Sequence, residues 1–293
     1  MWQNYLFPAS VEEALEILAN YDGQARLVAG GTDLILELRE GKRQVEALVD
    51  VTRIPGLDAI KLNSGMITLG AAVTYRQVID SPILQTKATV LVEASRKVGS
   101  PQIRNVGTLV GNVVNAMPAA DGAIALFALG AELEIASLGG RQWVSIEELY
   151  EGPGRSKVDP CREMVTAIRF PALGENQGSA FERLARRKAL ALPVLNVAAV
   201  ITLDDGAFED ARIAIGPVAP TPFRARQAEE MLRGAPANSD TIQQAAKIAA
   251  GEARPRSSLL RASAAYRKEV LAVLVRRALE RALLQAGGAG ERR

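Results

Sequence analysis

The sequence predicts an α+β protein: two lobes of mixed helix and strand, then a three-stranded antiparallel sheet packed on helices. Three observations carry this. Between Ser10 and Phe170, apolar runs of strand length alternate with segments of helical period, separated by stretches rich in Gly and Asn. From Ser179 to Ile215, three long apolar segments follow one another, the last two joined by the tight turn Asp204-Asp205-Gly206. The chain then turns helical, and its final helix places Leu271, Leu274, Val275, Ala278 and Ala282 on one face.

Ser10-Val11-Glu12-Glu13 has the form of a capping box. Val11, Ala14, Leu15 and Leu18 fall on one face of the helix it opens, which Tyr21-Asp22-Gly23 closes. Ala25 to Ala29 reads as a buried strand running into Gly30-Gly31. Thr32 is then the expected cap of a helix through Leu38, and Val45 to Val51 a second strand. Ile60 to Leu62 and Met66 to Leu69 form a hairpin about Asn63-Ser64-Gly65. Thr74 caps a short helix through Ile79, and Pro82 to Val98 reads as one further helix. Ile103 to Gly122 reads as a buried loop, followed by a buried helix from Ala123 to Leu129.

Glu132 to Ala136 and Gln142 to Ser145 form another hairpin, and a second capping box, Ser145 to Glu148, opens one helical turn. Gly152-Pro153-Gly154 is a loop before a strand from Met164 to Phe170. The polar run Pro171 to Gly178 marks a boundary, giving units at residues 1–57, 58–174 and 175–287 and a tail at 288–293. The last unit holds strands at Ser179 to Arg186, Pro193 to Leu203 and Phe208 to Ile215. Thr221-Pro222 then opens a helix ending near Gly234, and Thr241 to Gln244 opens another. The Arg-rich face of the final helix reads as solvated, and Gly287 to Arg293 as a frayed tail.

Composition excludes several functions. Basic and acidic residues, 35 and 33, are interspersed, and aromatics are 4%, which gives no reason to expect nucleic acid. No apolar stretch approaches the ~18 residues of a membrane span, and no leader pattern opens the chain, so the expectation is a cytoplasmic protein. There is no histidine, which removes the usual general base, the imidazole metal ligand and every Ser-His or Cys-His pair. The single cysteine, Cys161, reads as a loop or strand-edge thiol and can build neither a disulfide nor an iron–sulfur cluster within the chain. No catalytic side chain and no metal site is predicted. Redox chemistry here requires a bound organic cofactor.

Two Gly- and Thr-bearing bends are the candidate site. Gly30-Gly31, between a strand and a helix, lets consecutive amides point at one anion, and Thr32 adds a hydroxyl. It is neither a GxGxxG nor a Walker pattern, and it reads equally as a plain structural turn. In Gly107-Thr108-Leu109-Val110-Gly111-Asn112, Thr108 and Asn112 can donate hydrogen bonds, and Gly111 allows close approach to a ligand. A buried turn whose side chains satisfy the local backbone is the other reading. Asp121 either accepts from a sugar or base, or caps the helix that follows.

Ala29-Gly30-Gly31-Thr32-Asp33 resembles the first flavin motif of the FAD-binding subunits of molybdenum hydroxylases, the family of the carbon monoxide dehydrogenase medium subunit and the xanthine dehydrogenase flavin domain. Gln102 to Asn112, continuing through Pro118 and Asp121, is similar to the second motif. Pro193 to Val200, Gly216 to Pro222, Arg261-Ala262-Ser263 and Tyr266-Arg267 resemble the family's C-terminal domain, so the likeness runs in order along nearly the whole chain. It implies a vanillyl-alcohol-oxidase-like (PCMH-type) FAD domain in two subdomains, residues 1–57 and 58–174, plus a C-terminal flavoprotein domain, 175–287.

By resemblance, Leu27, Val28, Ala29, Gly30, Gly31, Thr32 and Asp33 would grip the FAD diphosphate from one side, and Thr108, Leu109, Val110, Gly111 and Asn112 from the other. Asp121 would hold the adenosine half, Val165 would contact the flavin, and Arg183 stands where the family usually has a lysine near it. Val110 replaces a common glycine, and Ala191 an acidic residue. The implied role is electron transfer from [2Fe–2S] centres of a small partner subunit through FAD to NAD, oxygen or a quinone. A large partner subunit would carry the molybdopterin cofactor, in a dimer of heterotrimers. A stand-alone flavin oxidoreductase of the same fold and an assembly module without FAD are the alternatives.

Overall fold

The computed structural model describes residues 2–187, 190–258 and 262–287. The first lobe runs β1 (Asn4–Leu6), α1 (Val11–Asn20), β2 (Ala25–Val28), α2 (Leu34–Arg39) and β3 (Ala47–Asp50). Its strands form a parallel sheet in the order β1-β3-β2, with α1 and α2 as the connections that parallel pairing requires. β1 was not expected from the sequence: it is a three-residue strand defined only by its pairing with β3. Ser10 Oγ accepts from the Glu13 amide at 3.1 Å, while the Glu13 carboxylate accepts from Ala9 N, one residue ahead of the cap. Asp33 and not Thr32 is the N-cap of α2, which leaves Thr32 in the bend.

The second lobe opens with the hairpin β4 (Ile60–Asn63) and β5 (Met66–Gly70). Six helices follow: α3 (Tyr75–Asp80), α4 (Pro82–Lys87), α5 (Thr89–Ser95), α6 (Pro101–Val106), α7 (Leu109–Val114) and α8 (Asp121–Leu129). The hairpins β6 (Glu132–Ser137)–β7 (Gly140–Ser145) and β8 (Tyr150–Gly152)–β9 (Arg155–Ser156) then lead to β10 (Met164–Pro171). The main sheet is antiparallel in the order β4-β5-β10-β6-β7, so the last strand of the lobe closes its centre.

Three expectations change in this lobe. The helix expected over 82–98 is broken at Ala88 (φ −156°, ψ 49°), where Thr89 Oγ1 and Val90 N turn to meet Ser179 Oγ at 3.2 and 3.3 Å. The loop expected over 103–122 contains α7 and most of α6. Ser100 caps α6 with Pro101 in its first turn, and Thr108 caps α7. The Gly, Asn and Thr content of the stretch hid two helix starts that are locally legible. Ser145 receives the Glu147 amide and opens a 3-10 turn, Ile146–Glu148, in place of a capping box.

The third unit comprises β11 (Gln177–Ala185), β12 (Pro193–Asp204), β13 (Ala207–Gly216), β14 (Phe223–Arg224), α9 (Arg226–Leu232), α10 (Ser239–Glu252) and α11 (Ala264–Gly287). Its sheet has four strands, β11-β12-β13-β14, where three were expected. The short β14 follows directly on Thr221-Pro222, and α9 starts only at Arg226. The amides of Gln227 and Ala228 donate to the Glu252 carboxylate, both at 3.0 Å, a cap supplied from the end of α10 that leaves no local signature.

β12 is buried on both faces. Val197, Ala199 and Ile201 join the core formed with α10 and α11, while Ala198 and Val200 join the core that contains α8. Burial of both faces produces the near-continuous apolar run from Pro193 to Leu203. Leu271, Leu274, Val275, Ala278 and Ala282 of α11 are all buried, as their period predicts. Residues 288–293 of the expected tail, and Arg261, lie outside the described residues.

Candidate functional site

A cleft of about 720 Å³ is lined by residues of both N-terminal lobes, within the size range of small-molecule sites. One wall is the segment Leu27 to Asp33, where β2 leaves the parallel sheet. The other is Gly107, Thr108, Val110, Gly111 and Asn112, around the start of α7. Val165 and Met164 of β10, with Arg155 and Ser156 of the β8–β9 hairpin, complete it.

The two bends touch. A Cβ placed on Gly30 would stand 2.1 Å from the Val106 carbonyl oxygen and 2.9 Å from Gly107 Cα, so only glycine allows the backbones to meet here. Gly31 sits at φ +65°, in the left-handed region where a β-branched residue is strongly disfavoured.

The two bends use their amides differently. Among the described residues, the N–H groups of Gly30, Gly31, Thr32 and Asp33 donate to no protein acceptor. In the second bend, Leu109 N donates to Val73 O at 3.0 Å and Asn112 N to Thr108 O at 3.2 Å. Gly111 N donates to Thr108 Oγ1 at 3.1 Å. Only the amides of Thr108 and Val110 remain without a protein acceptor there, again among the described residues. Thr108 Oγ1 accepts the cap bond and keeps its own O–H for donation. A run of unengaged amides beside a free hydroxyl is a donor set for a multiply charged anion, and a diphosphate fits it.

Two further polar atoms are orphaned in the same place. Tyr75 Oη and Asn112 Oδ1 are buried with no partner among the described residues, and both side chains line the cleft. Arg155 takes part in no ion pair among the described residues and adds a cation. Burial raises the Asp33 carboxyl above the ordinary carboxylate range, the charge of Glu37 adds to this, and the Thr32 hydroxyl opposes it.

Not every expected residue lines the cleft. Leu109 is packed into the core at 1% exposure. Asp121 and Arg183 lie outside the lining and face each other. Asp121 Oδ2 is 3.2 Å from Arg183 Nε, with both side chains 6% exposed, and Asn196 Nδ2 donates to Asp121 Oδ1 at 2.7 Å. Arg183 also donates to the carbonyl of Ala191, so the triad binds α8 to β11 and β12. Asp121 makes no capping bond either. Burial pushes its carboxyl up to about 6, the Arg183 charge and the Asn196 amide pulling the other way.

The sequence reading missed Tyr75, Val98 and Arg155 as lining residues. Tyr75 follows a capping threonine and fits the core face of α3, so nothing local distinguishes it from an ordinary packed tyrosine. Arg155 reaches the cleft only because of where the β8–β9 hairpin folds.

Residues 2–173 match the family described as the FAD binding domain in molybdopterin dehydrogenase, and residues 179–282 match the CO dehydrogenase flavoprotein C-terminal domain. A putative xanthine dehydrogenase FAD-binding subunit of Escherichia coli is 34% identical over 97% of each chain. The carbon monoxide dehydrogenase medium chain of Afipia carboxidovorans is 32% identical, again over 97% of each. Among solved structures, a carbon monoxide dehydrogenase of Hydrogenophaga pseudoflava superposes with a TM-score of 0.91 at 30% identity, covering 97% of this chain and 98% of that one.

Proposed function

The chain belongs to the FAD-binding subunits of the molybdenum hydroxylases, and from that premise we propose that its cleft seats FAD with the diphosphate against Gly30 to Asp33. The observation that carries this is the run of unengaged amides there, adjoining Thr108 and Val110. The protein serves as the electron-transfer subunit of a dehydrogenase complex, taking electrons from [2Fe–2S] centres of a small partner subunit and delivering them to an external acceptor. When bound, the flavin supplies both one-electron and two-electron chemistry.

The chain's own residues bind, orient and exclude water. Backbone donors of the two bends hold the anionic centre of the dinucleotide, and the Thr108 hydroxyl adds a side-chain donor. Val165, at 4% exposure on the central strand β10, offers a rigid apolar contact for the flavin ring. No side chain of the cleft has to act as a nucleophile, which agrees with a sequence lacking histidine.

The proposed partners are a large molybdopterin-bearing subunit and a small [2Fe–2S] subunit, in a dimer of heterotrimers, with NAD, oxygen or a quinone as acceptor. No described helix is long and apolar enough to cross a membrane, and the proposed location is the cytoplasm. The test is the visible spectrum of the purified full chain and the identity of the nucleotide released by heat. A flavin spectrum with released FAD is the expected result. A colourless protein that takes up no added FAD would overturn the reading. Co-expression with the neighbouring genes is expected to yield a complex with two further subunits, and a monomer under those conditions would remove the partner assignment.

A further inference from the structure

The two orphaned polar atoms in the cleft belong together. Tyr75 opens α3, and its amide donates to Gly107 O at 3.0 Å, which fixes its backbone to the second bend. Its side chain is 2% exposed. A Cβ built on Gly122, next to the buried pair Asp121–Arg183, would stand 2.8 Å from Tyr75 Oη and 3.2 Å from Asn112 Oδ1. The phenol oxygen and the amide oxygen therefore lie near one another, packed with Leu109 Cδ1 against the bare Cα of Gly122, and both residues line the cleft. A buried hydroxyl with no partner among the described residues is costly to keep, which points to a group that arrives with the ligand.

Burial holds the Tyr75 phenol well above its ordinary range, and the negative charges of Asp121 and Asp33 add to this, so it is a donor at any physiological pH. Asn112 Oδ1 is an acceptor. One donor and one acceptor side by side match an alcohol, which can accept from the first and donate to the second. A carbonyl would leave the amide oxygen unsatisfied, and an ammonium group would leave the phenol without an acceptor.

We propose that Tyr75 and Asn112 form a subsite for a hydroxyl of the bound dinucleotide, on its ribityl chain or on its adenosine ribose. This rests on the assignment of FAD to the cleft and adds Tyr75 to the residues that hold it.

The test uses flavin-free full-length protein titrated with FAD, FMN and ADP, followed by intrinsic fluorescence and calorimetry, together with the melting temperature of the flavin-free form. Tyr75→Phe removes only the hydroxyl. It is expected to weaken FAD binding about 5- to 10-fold, the scale of one hydrogen bond. A loss confined to FMN assigns the ribityl hydroxyl, and a loss confined to ADP the ribose; either supports the subsite. Asn112→Leu should weaken the same half-ligand.

The flavin-free Tyr75→Phe protein should melt at the wild-type temperature or above it, because an unpartnered hydroxyl has been deleted. A melting temperature several degrees lower would mean that the hydroxyl serves the fold, and would overturn the proposal. So would unchanged FAD affinity, or equal losses for FMN and ADP, which would report a change in cleft shape. A wild-type protein that binds FAD with Tyr75→Phe unaffected defeats this inference alone; a wild-type protein that binds no FAD defeats both.

Discussion

The two bends that line the cleft have similar compositions and opposite hydrogen-bond economies. Leu27 to Asp33 leaves a strand end with four successive amides, Gly30 to Asp33, that meet no protein acceptor among the described residues. Gly107 to Asn112 spends most of its capacity on itself: Thr108 caps α7, and Leu109 and Asn112 bond to Val73 and Thr108. Gly and Thr content thus marks a bend without saying whether its donors are free. The first bend supplies binding groups, and the second supplies a rigid wall with, among the described residues, one free hydroxyl and two free amides.

This contrast can be broken at its strongest point. Gly31→Val forces a β-branched side chain to φ +65°, against Ile35 and Val28, and is expected to lower FAD affinity by roughly 100-fold or more. Unchanged flavin occupancy in the purified variant would remove the first bend from the site. Gly30→Ala acts on the junction, since its Cβ would overlap the Val106 carbonyl at 2.1 Å. We expect a loss of about 2–3 kcal/mol in stability, measured as a lower urea midpoint, because the bends must separate.

Thr108→Val sharpens the comparison from the other side. It deletes the cap of α7 and should cost the flavin-free protein about 1 kcal/mol, with a further severalfold loss of FAD affinity from the missing O–H donor. An equivalent change at Thr32, which caps nothing, should leave the stability of the flavin-free protein within about 0.5 kcal/mol of wild type.

A pH-dependent effect concerns Asp121, outside the cleft lining. Its carboxyl is raised to about 6, so on lowering the pH from 7 to 5 the folded state takes up a proton that the unfolded state does not. Wild type should therefore gain about 1 kcal/mol on Asp121→Asn over that interval, seen by chemical denaturation at each pH. A stability difference that stays flat with pH would mean that Asp121 is fully ionised beside Arg183.

Elements with local signals were legible. The Thr74 cap, the hairpin turn at Asn63-Ser64-Gly65, the strand β12 and the apolar stripe of α11 all follow from period and turn chemistry. What was missed depends on distant chain. The break at Ala88 answers to Ser179, the start of α9 to Glu252, and β1 to a neighbour more than forty residues on, Ala47 to Val49. Asp121 and Arg183 were placed by resemblance beside the cofactor, and the structure pairs them with each other outside the cleft lining.

The sequence by itself determined that redox work here needs a borrowed cofactor, because a chain with no histidine and one cysteine holds no redox centre of its own. It also located both bends, since glycine and threonine announce tight backbone wherever they cluster. Only the tertiary structure decided that the bends meet and that, among the described residues, one keeps its amides free and the Tyr75 hydroxyl lies unpaired near Asn112 Oδ1. Periodicity is a property of adjacent residues. Hydrogen-bond satisfaction is a property of whatever the rest of the chain brings alongside.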